Sequence, residues 1–341
     1  MKLIVKEHNT NPIIIHGKNI MNKDNLIIYV SSRNNYDMLN GEVLNIDFEG
    51  FEFINVDDCS MDDEIKKGKL ICEQKNIVYL QNKGRGVQMA TQTLVDFINE
   101  NRPNCKYIIC FQHDSKPISD GFFKTLSEHI SAGKLDEFGG IGFNVLDNHK
   151  YTFDMYGKFK KGEQPLGILG FSHLGVATTR KRWISPWHNP EVLGKNTDKW
   201  STPFVLEIPA WMVCGINIDA WNKYVKPTEE HQFHLWFPDV CMQLNVVNKP
   251  ILIIPNLYCY HDQNVKSKYG IHTNSAHAAK NGDEKHFGKY SNFKAWKNRW
   301  GWDYETARDT FGNVKHKYEG TILHDFHNHN VNTGPLKNYK L

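Results

Sequence analysis

Acidic and imidazole side chains stand directly after apolar, strand-like runs in the first part of this chain. The run ending in "ICF" is followed by "QHDSKP", which contains His113 and Asp114, and "FEFINV" is followed by Asp57 and Asp58. A carboxylate beside an imidazole offers mixed oxygen and nitrogen ligands to a divalent cation. An Asp shortly before a proline is also an ordinary turn residue, so a metal site and a structural turn are both open at this point.

Asp239 and His261 add two candidate groups in the second half of the chain. Asp239 opens the helix-like stretch "FPDVCMQL", where an acid acts either as a general base or as a stabiliser of the first helical turn. His261 follows the apolar run "ILIIPNLYCY". A histidine in that position is either a metal ligand or a structural side chain.

The stretch "NKGRG" combines positive charge with glycine. Gly84 and Gly86 permit a tight turn, and a helix that starts just after them presents its N-terminus to an anion. Lys83 and Arg85 add charge suited to a diphosphate. A turn without any ligand is the alternative interpretation.

Alternation of apolar runs and amphipathic stretches over residues 25–130 predicts the elements that position these groups. It indicates an α/β fold with a mostly parallel sheet and helices on both faces. Ligands of such sheets bind beyond the carboxyl ends of the strands. We therefore expect Ser31 and Arg33, which follow "NLIIYV", to share one rim with the acids described above.

Two helices can be placed in this region from local patterns. Apolar residues recur at helical spacing from Val87 to Ile98, and the helix should end before Pro103. Ser119 is the predicted N-cap of the next helix, which carries Phe122.

Composition excludes several classes of protein. The chain has 341 residues and a formal net charge of +3, which gives no global field for nucleic acid. No apolar run is long enough for a transmembrane segment, and the start lacks a signal peptide. Seven scattered cysteines without a CxxC pair predict reduced core thiols and a cytoplasmic location.

The order of these stretches resembles the inverting, nucleotide-sugar-dependent glycosyltransferases of the GT-A fold, family 2 type. "FINVDDCSMD" is similar to that family's second strand and acidic turn, and "NKGRGVQMA" to its glycine-containing helix start. The resemblance implies that Asp58, helped by Asp57, contacts a uracil or thymine imide. The residues assigned to the nucleotide are Ser31, Arg33, Asp57, Asp58, Lys83, Gly84, Arg85 and His113.

The remaining motifs imply the chemistry. Asp114 stands where the family places its metal-binding acids, whose leading positions are Gln112 and His113 here, and His261 matches a further metal ligand of many GT-A enzymes. The implied cofactor is a divalent cation, Mn²⁺ or Mg²⁺. Asp239 matches the family's general base. "AWMVCGINIDAW" resembles the acceptor loop, so Trp211 and Gly215 are the predicted acceptor-binding residues.

The resemblance thus implies a GT-A-like domain over residues 25–262, with a nucleotide half (25–130) and an acceptor half (131–262). An N-terminal extension (1–24) and a C-terminal helical or irregular extension (263–341) flank it. The expected partners are a UDP-sugar donor and a glycan or other hydroxyl acceptor. A non-catalytic sugar- or nucleotide-binding module is one alternative. A sugar-phosphate nucleotidyltransferase is another, although "YVSSRNNYDML" lacks the glycine-rich phosphate loop of that class.

Overall fold

Most strands of the protein join one mixed sheet. The computed structural model describes residues 15–16, 19–20, 23–147, 203–206, 209, 212–231, 235–262, 292–300 and 334–335. Strands β1 (Ile15–His16) and β2 (Asn19–Ile20) form a separate antiparallel pair. The other described strands form a ten-stranded sheet.

The first half of the sheet is parallel, in the order β5-β4-β3-β6. Its strands are β3 (Leu26–Ser32), β4 (Glu52–Asp57), β5 (Val78–Gln81) and β6 (Tyr107–Phe111). The helices that connect them are α1 (Tyr36–Gly41), α2 (Asp62–Gln74) and α3 (Val87–Asn101), with short 3₁₀ turns at Lys23–Asn25 and Val43–Asn45. The predicted α/β class is confirmed.

The second half of the sheet is mixed and continues in the order β6-β10-β8-β11-β9-β12, with β7 on β11. Its strands are β7 (Ser115–Pro117), β8 (Gly140–Asp147), β9 (Phe204–Leu206), β10 (Val213–Asn217), β11 (Ile251–His261) and β12 (Gly334–Pro335). Its helices are α4 (Phe122–Ser131), α5 (Ile218–Tyr224), α6 (Trp236–Asn245) and α7 (Asn292–Trp300). β10 is antiparallel to both β6 and β8, whereas β8 and β11 run parallel.

Both faces of the sheet are buried. Alternate residues of β3 belong to different apolar clusters: Ile27 and Tyr29 pack with α3, α6 and α7, whereas Leu26, Ile28 and Val30 pack with α4. Successive side chains of a strand point to opposite faces. A sheet covered on both sides explains why its strands are continuous apolar runs rather than alternating ones.

The two predicted helix starts have different outcomes. α3 begins at Val87 and ends at Asn101, as its periodicity predicts. The predicted N-cap of α4 is wrong, because Gly121, with φ +63°, precedes that helix. Ser119 Oγ instead accepts the Tyr258 N–H at 2.8 Å, since β7 joins β11 at this point.

The described parts of residues 263–341 pack onto the sheet and its helices. β12 pairs with β9 at the edge of the sheet, and Ala295, Trp296 and Trp300 of α7 are buried. The predicted division into a catalytic domain and two extensions stays a prediction.

The cysteines are free thiols, and six of the seven are buried. This agrees with the expectation of reduced core thiols. In the part of the chain that the structure describes, no helix has the length and apolar character needed to cross a membrane.

Candidate active site

Polar residues that follow the parallel strands meet at one edge of the sheet. The Asp58 N–H donates to the Ser32 carbonyl at 2.7 Å, and the Asn82 N–H donates to the Asp57 carbonyl at 2.9 Å. The His113 ring approaches Ser32 Oγ at 3.0 Å. These contacts join the ends of β3, β4, β5 and β6, so the predicted rim exists.

Asp58 organises the start of α3. Its Oδ1 accepts the Gly86 N–H at 2.6 Å and the Asn82 Nδ2–H at 2.8 Å, while Asn82 Oδ1 accepts the Gly84 N–H at 3.1 Å. Gly86 has φ +90°, a conformation that disfavours any side chain. The glycines of "NKGRG" therefore close a turn onto a buried carboxylate.

One guanidinium group lies beside that carboxylate, and a second lies near the first. Arg33 Nη1 lies 4.0 Å from Asp58 Oδ2. Burial lowers the pKa of Arg33, and Asp58 opposes this effect while Arg85 adds to it. The Arg85 Nε–H is buried without a hydrogen-bond partner among the described residues. Asp57 and Asp58 both act on Arg33, so two carboxylates accompany the two guanidinium groups at this turn.

Lys83 and Gly84 occupy more ordinary positions. Lys83 is exposed, and its ammonium lies 3.2 Å from Asp96 of α3. A Cβ on Gly84 would lie 2.8 Å from Glu229 Oε1, the flexible end of an exposed side chain, so this contact does not require glycine. Ser31 is half-buried at the end of β3. Nucleotide contacts of these three residues stay predictions.

Asp57 is directed into the protein rather than along the rim. It is fully buried, and it accepts the Tyr36 O–H at 2.5 Å on Oδ2 and the Ser60 N–H at 3.0 Å on Oδ1. Both oxygens therefore hold donors of the fold, and the predicted help of Asp57 to Asp58 stays a prediction.

Asp114 and His261 come together from distant parts of the chain. Asp114 Oδ2 lies 3.3 Å from His261 Nε2, and both side chains are buried. The antiparallel pairing of β7 with β11, in which Ser115 lies opposite His261, places them there. The Asp262 N–H also donates to the Asp114 carbonyl at 2.7 Å.

Asp239, in the first turn of α6, is the centre of a second polar site. Its exposed fraction is 0%. Its Oδ2 accepts hydrogen bonds from the Gln88 and Gln243 side-chain amides, each at 2.9 Å, and from Arg299 Nη1 at 2.5 Å. Its Oδ1 accepts the Trp300 Nε1–H at 2.7 Å.

A histidine completes the surroundings of Asp239. His231 Nε2 lies 3.4 Å from Asp239 Oδ1. Burial acts to raise the pKa of Asp239, but His231, Arg299 and Gln88 outweigh it and hold that pKa below its ordinary value. The carboxylate is therefore charged at neutral pH, and hydrogen-bond donors of the protein surround it in place of water.

Comparison with solved structures identifies the architecture. The chain aligns with a crystal structure of GalNAc-T7 with UDP, GalNAc and Mn²⁺ at a TM-score of 0.50 and 11% identity, over 89% of this chain and 55% of that one. The chain has a GT-A fold.

Two further structures align at lower TM-scores. One is the mannosyltransferase PcManGT from Pyrobaculum calidifontis in complex with GDP-Man and Mn²⁺, at a TM-score of 0.45 and 12% identity, over 88% of this chain and 68% of that one. The other is S. aureus TarS 1-349, at a TM-score of 0.39 and 13% identity, over 88% of this chain and 70% of that one. No family model matches the sequence, and no curated protein matches it. The chain spans about half the length of the GalNAc-T7 chain that it matches.

The acceptor predictions have separate outcomes within this GT-A fold. Trp211 lies outside the described residues. Gly215 lies inside β10, opposite Ile109 and Ile141, and a Cβ there would lie 2.3 Å from the Ile141 side chain. Packing between neighbouring strands thus explains this glycine, and its acceptor role stays a prediction.

Several residues of both polar sites were missed by sequence reasoning. They are Tyr36, Asn55 and Asn82 at the rim, and Gln88, His231, Gln243 and Arg299 around Asp239. Asn82 carried a signal, because a polar residue before a glycine at a strand end is typical of a closed turn. Gln88 and Arg299 carried none, since they lie on different helices far apart in the sequence.

Proposed function

We propose that this protein transfers a sugar from a nucleoside diphosphate donor, with UDP favoured, to a hydroxyl acceptor. The observation that carries the proposal is the meeting of Asp114 and His261 at 3.3 Å, on the same rim as the paired guanidinium groups of Arg33 and Arg85. In the proposal this pair holds a cation, and the two guanidinium groups contact the diphosphate.

The donor would lie along this rim. Arg33 and Arg85 face the anionic diphosphate in the proposal, and Asp58, which helps to shape the turn before α3, lies at the nucleoside end. A carboxylate at a strand end is a good acceptor for an imide N–H. The resemblance to family 2 supports this assignment of Asp58, and it does not distinguish uracil from thymine.

The side chains present fit a divalent cation. Ligands at adjacent positions of an octahedral cation with bonds of about 2.1 Å lie roughly 3 Å apart, which is close to the separation of Asp114 Oδ2 and His261 Nε2. No group of three His, Cys, Asp or Glu side chains forms a metal site within the described ranges.

Asp114 and His261 would hold that cation in place. When bound, it neutralises charge that develops on the leaving nucleoside diphosphate. The mixed oxygen and nitrogen pair favours Mn²⁺ over Mg²⁺.

Inversion with Asp239 as general base remains part of the proposal. The acceptor oxygen attacks the anomeric carbon as the bond to the diphosphate breaks, and the acceptor proton passes to Asp239 Oδ1 or Oδ2. Because Asp239 is fully buried and holds protein donors on both oxygens, an acceptor hydroxyl must displace one of these donors. The Arg299 side chain, 27% exposed, is the one nearest to solvent.

The ligands of GalNAc-T7 guide the choice of probes. That protein was crystallised with UDP, GalNAc and Mn²⁺, so UDP with Mn²⁺ is the first combination to test here. The whole-protein activity of this chain stays a proposal.

Calorimetry tests the donor site. We expect UDP to bind wild type in the presence of Mn²⁺ and to bind at least roughly ten-fold more weakly after EDTA treatment or in Asp114→Ala. Asp219→Ala is the matched control, because Asp219 is exposed in α5, which follows the opposite end of β10. Absence of UDP binding to wild type would refute the proposal.

A non-catalytic binding module is the second candidate, and the burial of Asp239 favours it. A carboxylate with a lowered pKa and no exposed surface is a weak proton acceptor. Mass spectrometry with a panel of UDP-sugars and acceptors separates the two functions. Binding of UDP without transfer or donor hydrolysis supports the module, whereas turnover that is lost in Asp239→Asn supports the enzyme.

A further inference from the structure

A chain of hydrogen bonds runs beneath the rim from Asp57 to His113. Asp57 is bonded to Tyr36 at 2.5 Å, Tyr36 to Asn55 at 3.3 Å, Asn55 to Ser32 at 2.5 Å and Ser32 to His113 at 3.0 Å. His113 is 8% exposed and the other four side chains are fully buried. The chain therefore links the acidic turn after β4 with the residue beside Asp114.

The Asp57 carboxylate sets the direction of the first links. The single phenol proton of Tyr36 is donated to Asp57 Oδ2 at 2.5 Å. Burial, followed by the charge of Asp57, raises the pKa of Tyr36, so the phenol keeps that proton. The Tyr36 oxygen must then accept from the amide NH₂ of Asn55.

The same argument continues to His113. With its NH₂ group on Tyr36, Asn55 presents Oδ1 to Ser32, whose one hydroxyl proton is donated there. The Ser32 oxygen can then only accept from His113 Nε2. A ring nitrogen that donates carries the proton, so the imidazole is protonated at Nε2.

A glycine in α2 makes room for this arrangement. A Cβ on Gly68 would lie 2.2 Å from the Tyr36 ring, so Tyr36 occupies its position only because residue 68 has no side chain. The phenol is thus built into the packing of α2 against the sheet.

We propose that Tyr36, Asn55 and Ser32 are positioning residues that orient the His113 ring and hold a proton on its Nε2. The ring orientation and the position of this proton are then set before any ligand arrives. That His113 serves the diphosphate and cation rests on the proposed function. The Nε2 proton itself does not depend on it.

Nuclear magnetic resonance of the full chain labelled with ¹⁵N-histidine tests the tautomer. The chain has 17 histidines, and the His113 signals are assigned as those lost in His113→Gln. We expect a ring N–H at Nε2 that exchanges slowly with water. An Nε2 without a proton, or a rapid average of both tautomers, would overturn the proposal.

Matched variants test the role of the chain. Tyr36→Phe should speed exchange of the Nε2–H, introduce the second tautomer and raise the Kd for UDP with Mn²⁺ by roughly ten-fold. Tyr107→Phe is the control, because its buried phenol donates to the Leu135 carbonyl at 2.7 Å and lies at the start of β6, at the end of that strand opposite the rim. Tyr107→Phe should leave the His113 signals and the Kd unchanged.

The outcomes separate this inference from the proposed function. Unchanged His113 signals in a folded Tyr36→Phe variant would refute the hydrogen-bond chain. If Tyr36→Phe does not fold, Ser32→Ala replaces it. A different result would support the hydrogen-bond chain and refute the nucleotide site. In that result the Nε2–H exchanges slowly in wild type and fast in the variant, while wild type does not bind UDP.

Discussion

Asp239 shows how much a single buried carboxylate organises. Its neighbours come from α3, α6, α7 and the segment before α6, and its two oxygens accept four hydrogen bonds. An isolated charge in that place would be strongly destabilising. The cluster therefore ties α7 to the rest of the molecule whether or not Asp239 also acts as a base.

Arg299→Ala tests this at the residue scale. Removing one partner of a buried ion pair leaves the other charge uncompensated, and Arg299 is 27% exposed while Asp239 is 0% exposed. We expect the free energy of unfolding at pH 7 to fall by roughly 3 kcal/mol, as measured by urea denaturation.

The surface pair of Arg102 and Glu52 provides the matched control. Its side chains are 39% and 30% exposed, so Arg102→Ala should cost less than about 1 kcal/mol. Equal losses in both variants would contradict the role assigned to the Asp239 cluster.

The pH dependence of the Arg299 effect follows from the lowered pKa of Asp239. A group whose pKa is lower in the folded state stabilises the protein above its unfolded pKa, about 4, and loses that contribution as the pH falls through the folded value. The stability difference between wild type and Arg299→Ala should thus be constant near neutral pH and shrink below about pH 4. A difference that grows in acid would show that the charge of Asp239 is not involved.

At the scale of elements, the contact between α2 and Tyr36 decides whether the rim is ordered. α2 carries Gly68 where an ordinary helix would have alanine, and a Cβ there meets the phenol at 2.2 Å. Since Tyr36 hydrogen-bonds to Asp57, a shift of the ring would reach the acidic turn.

Gly68→Ala should therefore destabilise the protein by roughly 1–3 kcal/mol, the usual cost of overpacking. Gly41→Ala is the control, because nothing lies within 4 Å of a Cβ at that position in the last turn of α1, and helical Gly→Ala is otherwise favourable by roughly 0.5–1 kcal/mol. Thermal unfolding of both variants measures the contrast. A stabilised Gly68→Ala would show that Tyr36 is free to move.

At the scale of the whole molecule, the described C-terminal elements belong to the main structure. Trp296 is fully buried in the cluster that contains β3 and α3, and β12 extends the central sheet. We expect α7 to unfold together with the sheet rather than separately.

Hydrogen exchange in Trp296→Ala tests this coupling. Loss of a buried tryptophan lowers the free energy of unfolding by roughly 3–5 kcal/mol. If α7 unfolds together with the sheet, the opening free energy of the β3 amides should fall by the same amount, and these amides should exchange faster. Leu70→Ala, at a side chain that is 54% exposed, should leave β3 protection unchanged. Normal β3 exchange in Trp296→Ala would identify α7 as a separate unit.

Local patterns in the sequence determined the elements of the first half and the candidate groups at their ends. The helical spacing from Val87 to Ile98 and the apolar run before Asp114 are properties of neighbouring residues, and burial on both faces of a parallel sheet enforces them. Motif order added the pairing of Asp114 with His261. The N-cap prediction for α4 was wrong because of a distant contact. The Ser119 hydroxyl accepts a hydrogen bond from Tyr258 of β11, which lies far from it in the sequence.

Only the tertiary structure decided what surrounds each charged group. Arg299 reaches Asp239 across 60 residues, and Ser32 reaches His113 across 81, with no local spacing that signals either contact. The direction of the hydrogen-bond chain from Asp57 likewise follows from distances between side chains on different strands. The sequence by itself determined which residues stand at the rim, whereas packing determined their partners, because a buried polar group must be satisfied by whatever the fold brings to it.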